Sequence, residues 1–126
     1  MKQKRIRVGV IGVGHLGEYH VQKYKAIPAA DLIGIVDSDS ARAELIADRY
    51  GTTAYPDHHD LLSQVEAVSL AVPTEKHYEV AKDVLSAGVH LLVEKPITYL
   101  IEPADTLIRM AQAKGLVLQV GLVERF

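Results

Sequence analysis

The chain has 126 residues, 48% hydrophobic and 24% charged, which suits one domain with an ordinary core and argues against disorder. Its 14 basic and 16 acidic residues leave a net charge of -2, and the one basic cluster (Lys2, Lys4, Arg5, Arg7) reads as a short solubilising extension, so no nucleic acid is expected as a partner. The absence of cysteine excludes disulfides, a thiolate nucleophile and cysteine-ligated zinc.

Ile6 to Ile11 reads as a buried strand, rich in valine and isoleucine on both faces. A helix should open within Gly14-His15-Leu16-Gly17 and run to about Ile27, before Pro28. Leu32 to Val36 is the second strand. Ser40 to Tyr50 is the second helix, with Ser40 as N-cap and Gly51 just past its end. Thr52 to Tyr55 gives a very short third strand and Asp57 to Ser63 a small helix. Ala67 to Val72 is the fourth strand, followed by a helix capped by Thr74 and stopped by Gly88. Val89 to Val93 is the fifth strand. Pro103 starts a last helix to about Lys114, and Leu116 to Val120 is the final strand.

Strands alternating with helices predict an α/β fold in three layers, a doubly wound, mostly parallel six-stranded sheet. Its order, 3-2-1-4-5-6, is inferred from the glycine motif below rather than from periodicity. Residues 1–120 are expected to form this one domain, and 121–126 the start of a connector. No segment approaches the roughly 20 apolar residues of a membrane helix, and glycines and His15 interrupt the apolar stretch after Arg7, so no leader and no membrane contact are expected. A cytoplasmic location is the default.

The segment Val8-Gly9-Val10-Ile11-Gly12-Val13-Gly14-His15-Leu16-Gly17 joins a strand directly to Gly-x-Gly-x-x-Gly. Gly12 permits a tight turn, Gly14 lets a pyrophosphate approach the backbone, and Gly17 lets the helix pack closely. The N–H groups and dipole of the helix start then hold phosphates. Asp37 ends the second strand 20 residues beyond Gly17, where its carboxylate can accept from adenosine ribose hydroxyls. It also repels a 2'-phosphate, which favours NAD over NADP. Asp39 competes for that role but fits the turn before the second helix. Arg42 could meet a 2'-phosphate, so NADP stays open. His15 and Leu16 are counted in the cofactor loop, although His15 can equally face solvent.

Ligands of open parallel sheets collect beyond the carboxyl ends of the strands. Pro73 and Thr74 leave the fourth strand there, and His77 begins the next helix. Glu94 and Lys95 form a charged pair ending an apolar strand, costly unless used or solvated. Lys95 can give a proton or hydrogen bond to an oxygen that changes charge during hydride transfer, and is the one catalytic candidate. Glu94 can orient it or bind a ribose hydroxyl. Arg125 would emerge near the cleft toward a charged substrate. The remaining histidines, His58, His59 and His90 among them, lack the spacing of a zinc site, so no metal is expected.

These segments together resemble the N-terminal domain of the Gfo/Idh/MocA family, named for glucose-fructose oxidoreductase, inositol dehydrogenase and a rhizopine-catabolism protein. The likeness runs through the glycine loop, Val36-Asp37-Ser38-Asp39, Tyr55-Pro56-Asp57 with Asp60-Leu61-Leu62, Val72-Pro73-Thr74-Glu75-Lys76-His77, and Ala87-Gly88-Val89-His90-Leu91-Leu92-Val93-Glu94-Lys95-Pro96. The resemblance implies a pyridine-nucleotide-dependent oxidoreductase acting on a hydroxyl or keto carbon of a sugar, sugar nucleotide or cyclitol. It implies Lys95 near nicotinamide and substrate, Glu94 at the ribose, Pro96 as a proline often cis, Asp37 at the adenosine ribose, and His77 as the histidine of Pro-Asn-x-x-His. Thr74 replaces that asparagine, and Val89 the lysine of the family's Gly-Lys-His-Val stretch. Gly121-Leu122-Val123-Glu124-Arg125-Phe126 resembles members that oxidise C3 of UDP-linked N-acetyl sugars. It also implies a following α/β domain that supplies most substrate contacts, an acid/base histidine and a homo-oligomer interface. An alternative reading is an NAD-binding module without turnover.

Overall fold

The computed structural model describes residues 5–71, 77–94 and 101–121. In chain order the elements are β1 (Ile6–Ile11), α1 (His15–Ala26), β2 (Ala30–Val36), α2 (Ser40–Tyr50), β3 (Thr53–Ala54), α3 (His58–Leu62), β4 (Ala67–Leu70), α4 (His77–Ser86), β5 (His90–Glu94), α5 (Ile101–Lys114) and β6 (Leu118–Gly121).

A helix separates every two successive strands, so neighbours in the sheet run the same way. Every pairing is parallel, which corrects the expected mostly parallel sheet. The expected start of the last strand is corrected as well, in a sheet whose six strands stand in the expected order. Its body is the five-stranded run β3-β2-β1-β4-β5, flanked by helices, and β6 joins β5 as a four-residue ladder at the outer edge. The reason lies in the residues before β6. The Leu116 N–H closes the end of α5 on Ala111 O at 2.8 Å, and the Val117 N–H goes to His90 Nδ1 at 3.0 Å. Neither amide is left for the ladder, so the strand begins at Leu118 rather than Leu116. His90 is thereby a structural residue of the sheet edge.

Side chains alternate across β1 and β2 and divide the core in two. Val10 and Ile35 face Val13, Val21, Ala43, Ile46 and Ala47 beneath α1 and α2. Ile11 and Val36 join a second cluster beneath α3, α4 and α5, containing Leu61, Leu70, Leu85, Leu91 and Leu107. Each such leucine contributes about 1.5–3 kcal/mol by leaving water. Ser69, the buried polar residue of the core among the described residues, bonds the Tyr24 hydroxyl at 2.6 Å and ties α1 to β4. Burial raises the Tyr24 pKa, opposed by that bond. No helix of the described residues is long and apolar enough to cross a membrane.

Candidate functional site

The carboxyl ends of β1 and β2 build a rim from backbone rather than side chains. Gly12 leaves β1 at φ 92°, a conformation that a side chain would strain, and its N–H reaches Val36 O at 2.7 Å. Gly17 is buried against the same turn. A Cβ there would stand 1.7 Å from Gly12 O, so only glycine lets α1 lie this close. Gly14 is different. It is the N-cap of α1 at φ -68° with no side-chain cap, and a Cβ there would meet nothing closer than Arg42 Nη1 at 3.8 Å. The space above Gly14 is open, and a guanidinium borders it. Glu18, the acid of the first helical turn, is engaged by Arg49 Nη1 at 2.6 Å and by the Tyr50 hydroxyl at 2.7 Å. The Glu18 carboxylate raises the Arg49 pKa through that hydrogen bond and its charge.

Asp37 joins the two strand ends. Its Oδ2 accepts from the Val13 N–H at 2.8 Å, inside the glycine loop, and its Oδ1 accepts from the Asp39 N–H at 2.8 Å. The half-buried carboxylate therefore fixes the loop as well as standing at the end of β2. Asp39, rather than the expected Ser40, caps α2: its Oδ1 accepts from the Arg42 N–H at 3.1 Å. Asp39 is thus held in the turn, and Arg42 extends from the first turn of α2 toward the glycine loop. Sequence spacing could not reveal the Asp37–Val13 bond, because it depends on where the x residue of Gly-x-Gly aims its amide.

The structure thus brings together Gly12, Gly14, Gly17, Asp37 and Arg42, with Ala71, just beyond β4, beside Gly17. His15 opens α1 and Leu16 follows it, His77 opens α4, and Glu94 ends β5 opposite Gly121. Their side chains lie outside the described residues, as do Pro73, Thr74, Lys95, Pro96 and Arg125 altogether.

A family profile described as "Oxidoreductase family, NAD-binding Rossmann fold", that of Gfo/Idh/MocA, matches residues 6–122. A curated UDP-N-acetylglucosamine 3-dehydrogenase from Acidithiobacillus ferrooxidans is 48% identical over 120 residues, which is 95% of this chain and 38% of that protein. A solved structure of the enzyme of that name from the same organism superposes with a TM-score of 0.90 at 47% identity, covering 94% of this chain and 39% of that one. GenD2 from gentamicin A biosynthesis, solved in complex with NAD, superposes with a TM-score of 0.91 at 32% identity, covering 96% of this chain and 35% of that one. The chain spans under two-fifths of the length of these relatives.

Proposed function

Because the chain belongs to the Gfo/Idh/MocA oxidoreductase family and has its NAD-binding Rossmann fold, we propose that it is the cofactor domain of an NAD-dependent sugar-nucleotide or cyclitol dehydrogenase. The observation that carries this reading is the pairing of an open Gly14 with a closed Gly17. One glycine is required by the protein's own packing. The other leaves a cradle that a methyl group would partly fill, as a pyrophosphate site demands.

In this reading the N–H groups at the start of α1 hold the pyrophosphate, with Arg42 supplying positive charge beside Gly14. Asp37 keeps its loop bonds to Val13 and Asp39 while its remaining lone pairs accept from the adenosine ribose. The same negative charge disfavours a 2'-phosphate, so NAD is preferred to NADP. NAD bound there supplies a hydride acceptor at its nicotinamide. Lys95 would hold or move the proton at the substrate oxygen, with Glu94 orienting it or meeting a ribose hydroxyl. His15, Leu16, Pro73, Thr74 and His77 complete the cofactor cleft, and Arg125 meets substrate. The substrate reading leans on the 48%-identical relative, named as a UDP-N-acetylglucosamine 3-dehydrogenase. On this reading the connector begins near residue 121, and the substrate-selecting residues and a homo-oligomer interface belong to a further domain of the whole protein.

Titration of the full-length protein with NAD and NADP, followed by assay on UDP-N-acetylglucosamine and the inositols, tests both levels. Saturable NAD binding with reduction of NAD by one of these substrates is expected. Absence of NAD binding at millimolar concentration would overturn the reading. Binding without turnover on any sugar nucleotide or cyclitol would leave a binding module.

A further inference from the structure

A second polar cluster lies outside the glycine rim, where α3 meets α4. His58 and His59, the first two residues of α3, stack their rings at 4.3 Å between centroids with 29° between planes. Both rings span the same two carboxylates. On one edge, Asp57 Oδ1 stands 2.9 Å from His59 Nδ1 and 3.9 Å from His58 Nδ1. On the other, Asp83 Oδ2 of α4 stands 2.8 Å from His58 Nε2 and 3.4 Å from His59 Nε2. Ligand atoms of Asp57, His58 and His59 all lie within 4.8 Å of one another. Glycine-loop chemistry makes no use of these residues.

We propose that Asp57, His58 and His59 form a binding site for a divalent transition ion of the zinc class, with Asp83 as the residue that orients both imidazoles. Two imidazoles and a carboxylate are the donor set that zinc accepts, with water completing the tetrahedron. Zinc bonds of about 2.0–2.2 Å place ligand atoms roughly 3–4 Å apart, so the exposed His59 ring has to turn out of its stack on His58 for both Nδ1 lone pairs to meet at one ion. On the opposite edge each Nε2 faces a carboxylate oxygen of Asp83, the partner that the Nε2–H of a histidine bound to metal through Nδ1 would take. His58 is largely covered, which limits the ordering still to be done, whereas His59 is 62% exposed and gives an ion access. Bound there, the ion would strengthen the link that Asp83 makes between α4 and the histidines of α3. The sequence spacing missed it because two adjacent histidines match no zinc pattern and Asp83 lies 25 residues from His58.

The test is calorimetric titration of the metal-stripped full-length protein with zinc chloride, and with magnesium chloride as a hard-cation control. Wild type should take up zinc with release of protons, more tightly as pH rises through the histidine range, and should ignore magnesium at the same concentration. Asp57→Asn keeps the N-cap of α3, since asparagine caps as well as aspartate, yet removes the charged ligand. It and His59→Ala should each abolish this uptake or weaken it by more than about tenfold, and Asp83→Asn should weaken it by about 10–100-fold. Circular dichroism checks that each variant is folded. Zinc uptake unchanged in the double variant His58→Ala/His59→Ala, or equal heats for zinc and magnesium, would overturn the site and leave only adventitious surface binding.

Discussion

The glycine rim and the α3–α4 corner are built in opposite ways. At the rim, three glycines and one acid within residues 12–37 arrange backbone N–H groups, and the decisive property is where side chains are missing. At the corner, four side chains from two helices converge, and the decisive property is where they end. The contrast teaches that a site made of local backbone can be broken by adding one methyl group. A site made of side chains is broken by removing one. The rim is therefore the place for additions, and the corner for deletions.

The largest effect is expected from Gly17→Ala. Its Cβ would sit 1.7 Å from Gly12 O, so α1 must move off the turn. Overpacking of this kind costs roughly 1–3 kcal/mol, and more where backbone is the obstacle. Both thermal stability and NAD binding should fall. Gly14→Ala sharpens the point, because its Cβ meets only the tip of Arg42 at 3.8 Å and its φ of -68° suits alanine. It should unfold within a few tenths of a kcal/mol of wild type, as a weak N-cap change. Its NAD affinity should nevertheless drop, measured by titration. Equal NAD affinity in Gly14→Ala and wild type would remove the cradle from the proposal.

Asp37→Ala comes next. It deletes a charged acceptor worth about 1.5–3 kcal/mol, or some 10- to 150-fold in NAD affinity, and it frees the Val13 N–H. Selectivity for NAD over NADP should shrink with it. Arg42→Ala distinguishes two roles for the guanidinium. Beside Gly14 it serves the pyrophosphate, and then both cofactors should weaken alike; a loss confined to NADP would instead mark it as a 2'-phosphate contact.

The rim was legible in the sequence for a physical reason. Gly-x-Gly-x-x-Gly encodes a local conformation, and the observed φ at Gly12 and the close approach at Gly17 are consequences of residue type alone. The strands were legible too, because Val10 and Ile11, like Ile35 and Val36, face opposite clusters and both faces are buried. Errors fell where a hydrogen bond decided between neighbours. Asp39 took the cap from Ser40, and the closing bonds of α5 and His90 took the amides of Leu116 and Val117 from β6. The corner was illegible because nothing in the sequence brings Asp83 to His58.

The smallest expected effect is the pH dependence of that corner, and its sign separates the metal-free from the metal-bound state. The hydrogen bond to the Asp57 side chain raises the His59 pKa above the usual histidine value, against a smaller desolvation effect. The backbone and then the side-chain hydrogen bonds from His59 lower the Asp57 pKa. A raised histidine stabilises the fold fully below its unfolded pKa, and that contribution is lost as pH rises through the folded value. A lowered aspartate contributes above its unfolded pKa and loses that contribution as pH falls through the folded value. With a chelator present, urea midpoints should therefore decline as pH rises through the His59 titration, only slightly because both groups face solvent. His59→Ala should flatten this decline. With zinc present the slope should reverse, since deprotonated imidazoles bind the ion and an ion that binds only the folded state stabilises it. The same slope in chelator and in zinc would mean that the corner is a carboxylate–histidine clamp between α3 and α4 and nothing more.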